Sequence, residues 1–288
     1  MASEKDISFA SVAGADLELD VYRPGTSSTR TAILFFHGGG WRAGSREMMR
    51  PDARGMAELG FVGLPCQYRL LGQAPWPAQI NDVKAAIRWT RAHAEQLEIY
   101  PNRIVLWGSS AGAQLALLAA GTPDAPELEG ELGTLGVSSA VAAVIAVHAP
   151  VSFHLGDSAD RSSTSAKTLL GDVATEEQVR AASPITHVRE GFPPTLLLHG
   201  TQDRMVHHSA SQRMLDALRS VRAPADLHLF HGHTHGFASL PSVRAAIAHE
   251  VAFFLDRTIV HPEKHRAEIE QFSMFARQQS ARQEARSS

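Results

Sequence analysis

The chain has 288 residues, 44% of them apolar, and a formal net charge of −3. That apolar share fills a large core, while the near-neutral balance excludes both a strongly basic nucleic-acid binder and an acidic disordered chain. A single cysteine, Cys66, allows no intrachain disulfide, and no run approaches the roughly 18–20 apolar residues of a membrane helix. The charged start, Met1 to Asp6, lacks the apolar core of a signal peptide, so the sequence predicts a cytoplasmic protein without a membrane span.

In chain order, a weak strand over Ile7 to Val12 leads through the turn Ala13-Gly14-Ala15-Asp16 into a second strand. There Leu17, Leu19 and Val21 alternate with Glu18, Asp20 and Tyr22, the period of a half-buried strand that ends at Pro24-Gly25. Five continuous apolar runs follow: Ala32 to Phe36, Phe61 to Cys66, Ile104 to Trp107, Val141 to Val147 and Thr195 to Leu198. Runs of this kind suit strands of a parallel sheet covered on both faces. Between them, Ile80, Val83 and Ile87 recur at helical spacing over 78–95 and residues 111–120 form an almost wholly apolar helix. Met214, Leu215 and Leu218 mark another helix, and Val243 to Leu255 the last of the core. The alternation predicts one α/β domain over 1–257, a mostly parallel sheet with helices on both faces. Residues 121–138 read as a surface loop, 152–183 as a small lid, and 258–288 as a polar tail with Ile269, Phe272 and Phe275 at three-residue intervals. That tail suits a surface helix or a partly disordered segment, with a homodimer arm or a cover for the site as alternatives.

Chemistry concentrates where strands end. In Trp107-Gly108-Ser109-Ser110-Ala111-Gly112 a buried strand meets an apolar helix through G-x-S-x-G, a sharp turn that exposes the Ser110 hydroxyl beside the helix N-terminus. His37-Gly38-Gly39-Gly40-Trp41 follows another strand. Its Gly38 and Gly39 amides, with that of Ala111, are candidate donors to a developing oxyanion. A phosphate-cradling loop is the rival reading, weakened because no Lys-Ser/Thr follows. His199-Gly200-Thr201-Gln202-Asp203 ends a third strand and His231-Gly232-His233-Thr234-His235-Gly236-Phe237 a fourth. A serine nucleophile needs an imidazole base and a carboxylate to orient it, and Ser110, Asp203 and His235 fall in the order Ser, Asp, His of this sheet type.

These stretches, with Gln67-Tyr68-Arg69-Leu70 and Pro77-Ala78-Gln79-Ile80-Asn81-Asp82-Val83, resemble the α/β-hydrolase superfamily over roughly residues 16–257. The similarity is to the group that includes hormone-sensitive-lipase-like and feruloyl/acetyl esterase-like serine esterases. It implies an α/β-hydrolase fold, with Ser110 as nucleophile, Asp203 as orienting acid, His235 as base and Gly38, Gly39 and Ala111 as the oxyanion hole. Lipase-like members often have Asp where this chain has Ser109 and Gly where it has Ala113, and they carry a larger N-terminal cap. The polar lid and the missing cap lean toward short-acyl or bulky soluble esters as small-molecule substrates.

The H-G-G-x-W form also resembles kynurenine formamidases, which keeps an aryl-formamide substrate in view, and a non-catalytic binding protein on the same shell is the reading from another class. No metal or organic cofactor is expected. His231-x-His233-x-His235 on one strand face would favour a metal, but Gly232 and Gly236 favour a loop, and His233 competes with His235 as base. His37 and His199 are expected to brace their turns, Asp82 to be a structural partner and Asp172 a surface charge. Trp41 and Phe237 are candidate walls of the substrate pocket, with core packing as the alternative.

Overall fold

The computed structural model describes residues 3–12, 15–25, 27–153 and 162–287. One sheet contains β1 (Ser3–Val12), β2 (Ala15–Tyr22), β3 (Ala32–Phe36), β4 (Val62–Pro65), β5 (Ile104–Ser109), β6 (Ala143–Val147), β7 (Thr195–Gly200) and β8 (Ala225–Phe230), in the order β1-β2-β4-β3-β5-β6-β7-β8. β1 and β2 pair antiparallel, β2 meets β4 antiparallel, and every pair from β4 to β8 is parallel. Ala13 and Gly14 of the expected hairpin turn lie outside the described residues.

The helices are α1 (Arg50–Glu58), α2 (Ala78–Ala92), α3 (Ala111–Gly121), α4 (Pro126–Glu129), α5 (Ser162–Leu170), α6 (Glu176–Ala182), α7 (Ser209–Ser220), α8 (Pro241–Leu255) and α9 (Pro262–Ser287). Strand periodicity sorts them into two layers, because successive side chains leave opposite faces of the sheet. Leu34, Phe36, Leu106, Val144 and Leu197 pack with the helices of one layer, through Val83 and Ile87 of α2, Leu115 and Leu118 of α3, and Met214 and Leu218 of α7. Ile33, Phe35, Val105, Ile145 and Leu196 face the other way, onto Ala53 and Met56 of α1 and Ile247, Val251 and Phe254 of α8. The continuous apolar runs are therefore two alternating sets, one for each layer. Every residue of α3 is buried, as its uniform apolarity requires.

One segment departs from the sequence reading. Residues 121–138 are more than a surface loop: they contain α4, whose Leu128 is buried and whose Glu129 carboxylate accepts from Lys84 Nζ at 2.7 Å and pairs with Arg88. Both cations sit on α2 and are buried, so this loop supplies the counter-charge that makes their burial tolerable. The tail is the helix α9, with Ile269, Phe272 and Met274 exposed, and the Phe275 side chain lies outside the described residues. Among the described residues no helix is long and apolar enough to cross a membrane.

Candidate active site

Parallel strands bring their C-terminal ends to one edge of the sheet, and the residues flagged by sequence gather there. Ser110 follows β5 directly, in a backbone conformation (φ 52°, ψ −114°) that a residue with a Cβ seldom adopts, and its N–H donates to Val147 O at 2.9 Å. The turn is this tight because the flanking glycines lack side chains. A Cβ on Gly112 would lie 2.2 Å from Phe36 O, and one on Gly108 would lie 2.2 Å from Gly112 O. Close packing of β3, β5 and α3 thus projects the Ser110 hydroxyl from the elbow, with α3 starting at Ala111.

Asp203, on the turn after β7, is 2% exposed. Its Oδ1 accepts from the amides of Met205 (2.9 Å) and Val206 (3.0 Å), and its Oδ2 lies 2.7 Å from His235 Nδ1 and 3.3 Å from His199 Nε2. Burial alone would raise this carboxyl. The hydrogen bonds from His199, His235 and the Val206 amide outweigh it and hold the group well below the usual carboxylate range. His235 Nε2 lies 3.1 Å from Ser110 Oγ, so one imidazole bridges the hydroxyl and the carboxylate. His199 is braced by Ser211 Oγ at 2.7 Å and by Val206 O at 3.0 Å.

The glycine loop after β3 lies against this elbow: a Cβ on Gly38 would come within 3.2 Å of Ser110 Cβ. His37 fixes its base, with Nδ1 2.6 Å from Gly38 O, its ring stacked on Tyr68, and its own carbonyl accepting from Tyr68 Oη at 2.9 Å. Burial pushes the His37 imidazole below the usual histidine range, so it braces the loop as a neutral ring. Asp82 anchors the neighbouring segment, accepting from Arg69 Nη2 at 2.6 Å and from the Arg69 amide at 2.8 Å. Asp172 is exposed.

A cavity of about 180 Å³ opens beside Ser110, lined by Gly38, Gly39, Met49, Asp52, Trp107, His148 and His235 among others. Trp41 and Phe237 are absent from this wall, which corrects the pocket assignment in favour of the core alternative. Trp41, 3% exposed, donates from Nε1 to Gln114 Oε1 at 3.1 Å and meets Phe153 edge-on. Phe237, 2% exposed, packs against Phe230 and His233. Residues 154–161 of the expected lid lie outside the described residues, and among those described between 152 and 183 none lines the cavity.

Two ionisable cavity residues escaped sequence reasoning. His148 follows β6 at φ 42° with its ring centroid 4.1 Å from that of His235 and its Nε2 3.4 Å from Ser109 Oγ. Burial, then the neighbouring His235 and His199, push its imidazole well below the usual range and keep it neutral. Its place at the C-terminal end of a strand was the available signal. Asp52, in the first turn of α1, carried none.

His148, Asp203 and His235 each offer a possible metal ligand atom, all within 4.8 Å of one another. His235 and Asp203 are already bonded to each other, and the second nitrogen of His235 faces Ser110, so this donor set is engaged in the bridge. His231, His233 and His235 do not gather into such a group: His231 is exposed and the His233 ring stacks on Phe237. The arrangement can instead raise the nucleophilicity of a hydroxyl and disperse the charge on the imidazole that takes its proton.

Comparison with known proteins gives a consistent result. The BD-FAE family matches residues 19–218. The chain is 32% identical to Esterase LipC of Mycobacterium tuberculosis over 251 residues, 83% of this chain and 62% of that protein, so it spans less than two thirds of that relative. A thermophilic esterase of Thermogutta terrifontis with propionate bound superposes with a TM-score of 0.75 at 30% identity, covering 88% of this chain and 93% of that one. Thermogutta terrifontis esterase 2 phosphonylated by sarin superposes with a TM-score of 0.78 at 28% identity, covering 90% and 96%.

Proposed function

This chain belongs to the BD-FAE family and has the α/β-hydrolase fold, and from that premise we propose that it is a serine hydrolase of carboxylic esters. One observation carries the reading: the His235 imidazole lies 3.1 Å from Ser110 Oγ on one side and 2.7 Å from Asp203 Oδ2 on the other. With Nδ1–H donating to Asp203, Nε2 is left free to accept the Ser110 proton. Ser110 Oγ then attacks the acyl carbonyl, and the amides of Gly38, Gly39 and Ala111 receive the negative charge on the carbonyl oxygen. Each such donor is worth about 10²–10³ in rate. As the tetrahedral intermediate collapses, His235 returns its proton to the departing alcohol. Water, deprotonated by the same imidazole, releases the acyl group from Ser110.

The substrate is a small ester, and the modest cavity favours a short acyl group. The cytoplasm, where the buried thiol of Cys66 would stay reduced, is the location we assign.

A fluorophosphonate probe and a p-nitrophenyl ester assay test the proposal together. The wild-type chain is expected to hydrolyse the ester and to be labelled on Ser110. Ser110→Ala should lose both, with a rate reduced by about 10⁴–10⁶. A folded wild-type chain that neither hydrolyses esters nor takes the label overturns it.

A further inference from the structure

A second cavity, of about 260 Å³, adjoins the first between α1 and α8, with Gly55, Leu59 and Ala248 in its lining. Asp52 and Trp107 line both cavities, so the two are neighbours across these side chains. An ion pair stands at the junction: Arg244 Nε donates to Asp52 Oδ1 at 3.1 Å, tying α8 to α1. The Asp52 side chain is only 12% exposed.

We propose that the Asp52–Arg244 pair is a specificity-determining partition that confines the acyl group to the Ser110 cavity, and that the second cavity is the extension a longer chain enters once the pair is removed. The inference rests on the ester-hydrolase reading of the site. Apolar surface continues on both sides of the partition: Met49 and Val147 before it, Leu59 and Ala248 behind it, with Trp107 common to both. Methylene groups therefore find apolar surface on either side of the junction, with Glu58 and His249 also lining the second cavity. A chain pressed against the pair would strip its remaining water, and charges in poor solvent are costly unless fully satisfied. Asp52 shows that strain already, for burial raises its carboxyl to about 6 although Arg244 opposes the shift.

The acyl group is the part confined, because it stays bonded to Ser110 while the alcohol leaves. The alcohol has a route outward over the rim, where Met48 is 56% exposed and the His235 side chain that protonates it is 16% exposed.

The test is the acyl-length profile of p-nitrophenyl esters from acetate to decanoate, read as the ratio of kcat/KM for octanoate to that for butyrate. The wild-type ratio is expected to be about 0.1 or less, and Asp52→Ala should raise it about tenfold, the scale set by burying several methylenes. Arg244→Met breaches the same partition from α8 and should move the ratio in the same direction, which keeps the test open if Asp52→Ala does not fold. Fluorophosphonate labelling of each variant reports an intact Ser110. A wild-type profile flat to decanoate, or labelled variants with an unchanged ratio, overturns the partition and leaves the ester reading standing. A wild-type chain that hydrolyses no ester overturns both.

Discussion

Two carboxylates, Asp203 buried and Asp52 half-buried, border the same region and have been driven in opposite directions. Asp203, on the turn after β7, is ringed by two amides and two imidazoles and is held ionised. Asp52, on α1, has one guanidinium contact, which does not offset its burial, and its carboxyl rises to about 6. Burial is common to both; the number of donors differs. In the proposed mechanism Asp203 orients the His235 imidazole and must keep its charge, and the backbone after β7 supplies two donors that favour the charged form. The carboxylate on α1 meets no such demand, and its charge acts instead as an obstacle.

The largest effect should come from breaking the first of these sites. Asp203→Asn leaves the volume unchanged but removes the charge that aligns His235, and kcat for a p-nitrophenyl ester is expected to fall about 10⁴-fold. A loss of less than tenfold would mean that Asp203 does not serve His235. A smaller loss is expected from His148→Ala, which removes the neutral ring packed on His235. Slight misplacement of the imidazole can cost up to about 10²-fold, whereas His148→Phe keeps a ring there and should retain more activity. Equal losses in the two variants would show that packing is not what His148 provides.

The smallest effects, on thermal stability, sharpen the contrast most directly. A lowered carboxyl stabilises the fold above its unfolded value of 3.8 and loses that contribution as acid reaches its folded value. The deficit in Tm of Asp203→Asn relative to wild type should therefore shrink as pH falls below about 4. A raised carboxyl behaves in the reverse sense: its contribution is complete below 3.8 and is lost as pH climbs to about 6. Asp52→Asn should accordingly gain on wild type as pH rises across that interval. Thermal melts at several pH values should give slopes of opposite sign, and slopes of one sign would refute the contrast.

Much of this was legible in the sequence because it was local. The apolar runs of β3, β5, β6 and β7 announce strands covered on both faces, and G-x-S-x-G between a strand and an apolar helix announces the elbow. Ser110, Asp203 and His235 could be singled out because each follows a strand. What sequence could not supply were pairings between distant segments. Trp41 looks like a pocket wall beside its glycines until Gln114 and Phe153 are seen to hold it in the core. Asp52 looks like an acid suited to the dipole of a helix N-terminus. Its partner Arg244 is 192 residues away. Lys84 and Arg88 resemble solvated positions of α2 until Glu129 arrives from α4. His148 is masked by the apolar run of β6, which it follows directly.

The contact between Gly112 and the carbonyl of Phe36 has a mechanical consequence. The Ser110 hydroxyl and the Gly38–Gly39 loop follow different strands, and what sets their spacing is a carbon atom that is not there. Any side chain at that point would act as a wedge, levering the glycine loop away from the serine with every reacting group still in place.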